Sequence, residues 1–312
     1  MAERQVAVVE ARPRGQVLPY LLLALVMLFW SSNWIVGRGL RDAASPMAIN
    51  FWRWSIAAVL LLPFSWPQLR QSWPVIRRHW SLMLLFGITG AGAFHSLIYT
   101  GLAHTEAING VLLNSSLPVI VVIISWIWYR ESITWRQALG IAISFLGIFT
   151  IIGRGDPANL LHLSINYGDA LILLAMPIWS FYSVLLRKRP AGIGDLAFLQ
   201  VLSFAAVASV LPLYLWELGH GGRFEVGVTT VSCMVYIAVT ASLLGYIFFN
   251  WAVAELGPIG PNVAGFSTHL MPAYGSILAI LILHEQAYPY HAAGIALILA
   301  GVFLSTCRRG KR

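Results

Sequence analysis

Charge is what this sequence has least of. Only 10% of its 312 residues are Asp, Glu, Lys or Arg, against 58% that are hydrophobic, and the mean hydropathy is +0.75. A soluble domain of this size carries about 25% charged residues. So few charges cannot build a water-facing shell, which excludes a soluble globular fold and leaves lipid to cover much of the surface. Cysteine is almost absent as well. Cys233 and Cys307 both sit in apolar stretches, which excludes a disulfide framework and a cysteine-based metal site. The long apolar runs hold no Asp or Glu near their middles, and a carboxylate proton relay or a dense cation site would need one. Cys-x-x-Cys, His-Glu-x-x-His, clustered acids and a Gly-rich phosphate loop are all missing. A membrane enzyme acting on lipid-linked substrate therefore has no constellation to work with, and neither metal nor cofactor is expected. The formal net charge is +8, but the basic residues form no clustered face of the kind that binds nucleic acid.

What is present is a succession of apolar runs. A membrane-crossing helix needs roughly 20 mostly apolar residues, and ten such runs fall near 17–37, 46–65, 81–102, 107–128, 135–153, 167–187, 194–216, 231–253, 259–283 and 289–307. The first follows Arg4, Arg12 and Arg14 and ends in Trp-Ser-Ser-Asn-Trp, without a small-residue cleavage site, so it reads as a retained span. No linker is long enough for a soluble domain. With the 1–16 tail placed inside, the inside segments hold Arg4, Arg12, Arg14, Arg70, Arg77, Arg78, Arg130, Arg136, Arg187, Lys188, Arg189, Arg308, Arg309, Lys311 and Arg312. The outside segments hold only Arg38, Arg41, Arg154 and Arg223, and Arg53 lies within a span. This bias supports ten spans with both the 1–16 tail and the basic 308–312 tail in the cytoplasm of a bacterial-type inner membrane. Trp66, Trp73, Trp80, Trp126, Trp128, Trp135 and Trp216 lie near run ends and fit an interfacial aromatic belt.

The two halves resemble each other. A shift of 149 places Trp30-Ser31 on Trp179-Ser180, Arg38 on Arg187, Ala48 on Ala197, Ala57 on Ala206 and Pro63 on Pro212. A shift of 154 places Pro118 on Pro272, Glu131 on Glu285, Gly140 on Gly294 and Gly147 on Gly301. Two long registers with small drift are the mark of an internal repeat, here 17–153 and 154–307. Five spans is an odd number, so the second repeat begins on the opposite face. The expected fold is an all-α integral membrane protein, ten helices in a 5+5 inverted-topology repeat forming one structural unit. Inverted repeats characterise secondary carriers, whose solute sits near the midplane between the halves.

FWSSNWIVGR in the first run, FWRWSIAAVLLLP in the second, and Pro-x12-Glu with Gly-x6-Gly in both halves resemble the EamA-type branch of the drug/metabolite transporter superfamily, which includes amino-acid exporters of the YddG type. The resemblance spans nearly the whole chain. It implies export of amino acids, neutral or aromatic, or of related small metabolites by alternating access, with lipid as the surrounding partner. A broad drug or metabolite facilitator is the alternative.

Polar residues within spans usually face a cavity or another helix. Trp30 and Asn33 share a face of the first span, and their repeat partners are Trp179 and Tyr182. The third span carries His95 and Tyr99 at i,i+4, and the eighth carries Ser242, Tyr246 and Asn250 at the same spacing. Asn114 and Ser115 in the fourth span match Thr268 and His269 in the ninth. These stripes are expected to line a central solute path, with helix–helix packing as the alternative. His95 and His269 are the titratable candidates for proton coupling. Pro118 and Pro272 interrupt their spans at matching depths and are candidate hinges. Arg53 reads either as a partner for a substrate carboxylate or, preferred here, as a snorkelling or structurally paired side chain on a peripheral helix, since Leu202 holds the equivalent place. Asp169, Glu131 and Glu285 read as acids serving the first turns of the helices they precede or open. The paired glycines read as close-approach positions.

Overall fold

The structure is a computed structural model that describes residues 17–130, 133–161, 166–257, 263–264 and 267–306. The 1–16 tail, Glu131, Cys307 and the 308–312 tail lie outside these residues, as does the expected start of the ninth span. The described chain is helical, with one isolated bridge between Ala44 and Phe224. The helices are α1 (Leu18–Gly39), α2 (Pro46–Arg78), α3 (Trp80–His104), α4a (Ala107–Asn114), α4b (Leu117–Tyr129), α5 (Trp135–Ile152), α6 (Tyr167–Lys188), α7 (Asp195–Gly219), α8 (Val228–Glu255), α9 (Leu270–Leu283) and α10 (Pro289–Thr306). A single short helical turn covers Pro157–Leu161.

Seven of these helices, α1, α2, α3, α5, α6, α7 and α8, are long and apolar enough to cross a membrane, and α4a with α4b makes an eighth candidate bent by 44°. The remaining two, α9 and α10, are shorter apolar helices. Of the ten spans the sequence leads one to expect, seven or eight pass this length test among the described residues; the fourth run breaks at Ser115-Ser116, and the helix of the ninth runs unbroken only from Leu270 to Leu283.

One expected loop is helix. The stretch 66–78 continues α2 through Pro63, Pro67 and Pro74. Each proline removes a single backbone donor, while Leu69, Ser72 and Ile76 form a buried stripe at spacings of three and four and Arg70, Arg77 and Arg78 stay exposed. The amphipathic face outweighs the three missing hydrogen bonds.

Helix starts carry readable caps. Thr134 and Gln137 form a reciprocal capping box at α5, and the Asn166 side chain accepts from Gly168 N and Asp169 N at α6. Two further caps cross between distant parts of the chain. The Glu217 carboxylate at the end of α7 accepts from Ser45 Oγ at 2.6 Å and Met47 N at 3.1 Å, which caps α2. Glu285 accepts from Ala107 N at 2.8 Å and Ile108 N at 2.9 Å, which caps α4a. Glu285 therefore serves a helix N-terminus as the sequence suggested, but that of α4a and not of α10.

The packing follows a simple pattern. α2 lies on α7 and α5 on α10; α1 lies against α8 and α9, and α6 against α3 and the two halves of α4. Exchanging each of the first five helices with its counterpart five later returns these same principal pairings. α5 and α10 touch backbone to backbone. A Cβ at Gly147 would lie 2.6 Å from Gly294 O and 2.8 Å from Ile298 N, and one at Gly301 would collide with Gly140 O. The four glycines singled out in the sequence are thus the contact itself.

Candidate solute site

One helix early in the chain and one late, α3 and α8, each contain a π-helical segment, Ile88–Gly92 and Ala238–Leu244. A π segment inserts a residue into the helical ladder and turns carbonyls out of it. Here those carbonyls meet side chains of the same helix and of others. Ala91 O receives His95 Nδ1 at 3.1 Å, and Asn50 Nδ2 donates to Gly92 O at 2.9 Å. In α8, Ala241 O accepts from Trp30 Nε1 at 3.2 Å. A glycine within the first segment and one just after the second make room for rings of α6 and α1. A Cβ at Gly90 would sit 2.5 Å from the Tyr182 ring, and one at Gly245 would sit 2.7 Å from Trp30 Nε1.

Between the π segments lies a buried hydrogen-bonded chain. Tyr99 Oη donates to Asn33 Oδ1 at 2.7 Å, Arg53 Nη1 donates to Tyr99 Oη at 2.9 Å, and Arg53 Nε donates to Ser242 Oγ at 2.7 Å. It joins α1, α3, α2 and α8. Arg53 is 2% exposed. It does not snorkel, and α2 packs against α7, α3 and the π segment of α8, so the snorkelling and peripheral parts of the preferred sequence reading are corrected, while a structurally paired side chain is what the bonds to Ser242 and Tyr99 show.

Aromatic rings surround the chain. Arg53 stacks over Trp54 with 5.1 Å from its guanidinium carbon to the ring centroid. Trp54 lies 5.9 Å from His95 and 6.4 Å from Tyr246, and Tyr246 lies 6.0 Å from Trp30. On the other side His95 lies 6.5 Å from Trp179, which packs on Tyr182 at 5.1 Å and on Phe94 at 4.8 Å. Seven sequence candidates, Trp30, Asn33, His95, Tyr99, Trp179, Tyr182 and Tyr246, are thereby gathered in one cluster. His95 donates through Nδ1 to a carbonyl, which leaves Nε2 as the acceptor of the neutral ring.

Three candidates are placed elsewhere. Asn114 is buried at the end of α4a, with Nδ2 3.9 Å from Met271 Sδ. His269 is half-buried just before α9, and Asn250 is exposed on α8. Pro118 and Pro272 both fall in the first turn of a helix, α4b and α9. In a first turn the missing N–H has no carbonyl partner to lose, so the bend in the fourth run comes from the Ser115-Ser116 break ahead of Pro118. Sequence reading missed Trp54 and both π segments. The signal for the first segment was the close run of Gly87, Gly90 and Gly92.

One end of the bundle is tied by charge. Arg38 Nη1 donates to Leu102 O at 2.8 Å and Ala103 O at 3.1 Å, at the C-terminus of α3, and its Nε lies 3.9 Å from Glu285. Glu106, in the turn before α4a, is held above the ordinary carboxylate range by burial and then by the negative charge of Glu285. Asp169 is fully buried and accepts from Thr105 Oγ1 at 2.6 Å and Asn109 Nδ2 at 3.4 Å. It stands in the first turn of α6, as the sequence reading had it, with Asn166 as the cap, and it also ties α6 to the turn after α3 and to α4a.

The EamA-like transporter family model matches residues 17–153 and again 166–307. The chain belongs to the EamA-like transporter family. Among its relatives, the "Uncharacterized transporter YyaM" of Bacillus subtilis is 23% identical over 288 residues, covering 92% of this chain and 93% of that one. An "Uncharacterized transporter" of Archaeoglobus fulgidus is 26% identical over 293 residues, covering 93% and 98%. The "Probable terminal-alkyne amino-acid exporter" of Streptantibioticus cattleyicolor is 27% identical over 282 residues, covering 90% and 91%. A crystal structure covering 92% of this chain and 97% of its own superposes with a TM-score of 0.59 at 18% identity, which speaks to the fold alone. As an EamA-like protein the chain is a multi-pass membrane transporter, and the buried cluster between its π segments is the candidate place for solute.

Proposed function

We propose that this EamA-like protein exports amino acids, neutral and aromatic ones foremost, and related small metabolites by alternating access. Solute sits between two inverted repeats, 17–153 and 154–307, in a ten-helix bundle in a bacterial-type inner membrane with both chain ends in the cytoplasm. The observation that carries this reading is the buried polar and aromatic cluster built by helices from both halves, with a π segment on each side of it. Support for the repeat comes from the double family match, the neighbour pattern that survives exchange of the halves, and the left-handed residues Arg130 and His284, which end α4b and α9 and stand 154 apart. The amino-acid reading leans on the sequence resemblance and on the printed name of the Streptantibioticus cattleyicolor relative.

The proposed lining comprises Trp30, Asn33, His95, Tyr99, Asn114, Trp179, Tyr182, Tyr246, Asn250 and His269, with Pro118 and Pro272 beside the moving segments. Proton coupling would fall to His95 or His269. The test is a panel of radiolabelled amino acids in proteoliposomes, with and without a pH gradient. Saturable uptake of at least one amino acid is expected, and uptake of none by folded protein would end the proposal. Competition by chemically unrelated solutes would favour the broad facilitator, which the abundance of non-directional aromatic surface also suits.

Single alanine replacements of Trp30, Asn33, Trp179 and Tyr182 are expected to cut the initial transport rate by about tenfold or more, the scale of one lost 1.4 kcal/mol interaction. Thermal denaturation midpoints and expression should stay near those of the unaltered protein. Loss of folded protein in all four would instead assign these residues to packing. Tags on the two chain ends should react with impermeant reagents from the same face of the membrane; opposite faces would sink the inverted arrangement.

A further inference from the structure

Arg53 carries a charge that nothing in the surrounding protein balances. A guanidinium stays protonated in proteins and presents five N–H donors and no acceptor. Two of the donors go to neutral hydroxyls, Ser242 Oγ and Tyr99 Oη. No carboxylate among the described residues pairs with it, and its other N–H groups have no acceptor there. The adjoining Trp54 is fully buried, and its Nε1–H also lacks an acceptor. The centre of the cluster is therefore positive and holds unused donors, and although Asn50 Oδ1 and His95 Nε2 are open acceptors nearby, no negative charge faces the guanidinium among the described residues. By contrast, the part-buried Glu285 has two backbone N–H groups and the Arg38 cation beside it.

A purely mechanical strut between α1, α2, α3 and α8 would not need a charge. A neutral amide could bridge the same hydroxyls without the cost of an unpaired ion, and that cost is steep in an interior surrounded by lipid. We propose that Arg53 anchors a carboxylate of the transported solute, which supplies oxygens for its open N–H groups and the single negative charge that the cluster lacks. Arginine holds carboxylates through two parallel N–H···O bonds. One arginine matches a monocarboxylate or a zwitterion, and falls short for a doubly charged phosphate, which would call for more cations. The equivalent position in the other half is Leu202, buried in α7. The anchor therefore stands on one side only, and it fixes one end of an asymmetric solute while Trp30, Trp179 and Tyr246 face the rest.

The inference rests on the transport reading for the solute's delivery, but its test does not depend on movement. Purified protein in detergent is titrated with each of the twenty common amino acids, and with the primary amide of the tightest binder, following thermal stabilisation and calorimetry. The acid should bind at least about tenfold more tightly than its amide. In Arg53→Gln that preference should vanish, and in Arg53→Lys, which keeps the charge but loses the fork, it should persist with weaker affinity. Should Arg53→Gln fail to fold, the Arg53→Lys result decides, because an arginine that only braces helices gives no preference for acid over amide in either protein. Equal binding of acid and amide by the unaltered protein, no binding of any acid, or a preference retained by Arg53→Gln would each overturn the proposal. Carboxylate binding without transport in proteoliposomes would leave the anchor standing and remove the export reading instead.

Discussion

Gly147→Val is expected to prevent the protein from accumulating in folded form. The first atom added at this position would stand 2.6 Å from the carbonyl oxygen of Gly294 and 2.8 Å from the backbone nitrogen of Ile298. Backbone atoms inside a packed helix cannot turn aside as a flexible side chain would. Two further methyl groups would then have to fit where α5 and α10 already touch. Overpacking a well-filled interior costs about 1–3 kcal/mol, and a clash with backbone on both contacting residues falls at or above the top of that range. Because α5 and α10 are each other's principal neighbours, separating them leaves two helices without a partner. The measurement is monodisperse yield after detergent extraction, with the denaturation midpoint of any material recovered. Gly219→Ala serves as the comparison, since a Cβ there meets nothing within 4 Å; it should leave yield and midpoint unchanged or slightly raised. Equal behaviour of the two variants would refute the backbone-contact account.

This contact was legible in the sequence because glycine spacing is local: small residues seven apart put two gaps on one helix face, and the same spacing recurs 154 residues later. Helix positions were legible for the same kind of reason, since runs of apolar residues are read one at a time. The C-terminal part of α2 was not. Three prolines with Trp66, Trp73 and Arg70 look like a break, and the buried stripe Leu69–Ser72–Ile76 that overrides them is a property of contacts with α7 and of Ser72 bonding Gly192 O at 3.2 Å. The π segments were illegible for a different reason. No residue type demands an inserted turn, and glycine only permits it.

The candidate site was half visible. Intramembrane polar residues at helical spacing picked out Asn33 on one helix and His95 with Tyr99 on another, and the structure brings the three together, because polarity inside a span needs a partner. The same logic could not say who the partners are. Arg53 bonds Ser242 across 189 positions of chain, and that partnership decides between a side chain reaching for the surface and one held in the interior. Asn250 differs: its i,i+4 spacing from Tyr246 suggested a common face, yet it lies exposed on α8, although both residues follow the π segment in regular α-helix.

Glu285→Ala is expected to lower stability by about 2 kcal/mol and to loosen one end of the bundle. The carboxylate accepts two backbone N–H groups at the start of α4a and lies 3.9 Å from Arg38. Removing a helix cap costs about 1 kcal/mol, and a charged acceptor at the positive end of a helix dipole adds up to a similar amount when partly buried. The side chain is 8% exposed, so water cannot fully replace it. Arg38 would keep its bonds to Leu102 O and Ala103 O but lose its counter-ion. Three elements meet at this one carboxylate, α1, α4a and the turn after α9, and a carrier that opens at this end must separate them. Glu285→Gln should fall between alanine and the unaltered protein, because its amide oxygen can still cap one N–H while its NH2 group repels the other. The checks are the denaturation midpoint and the alkylation rate of a cysteine placed at Ala107. Both should change in the order Glu, Gln, Ala. A midpoint that falls without any gain in alkylation would make Glu285 a cap and nothing more, and an unchanged midpoint in Glu285→Ala would deny it even that role.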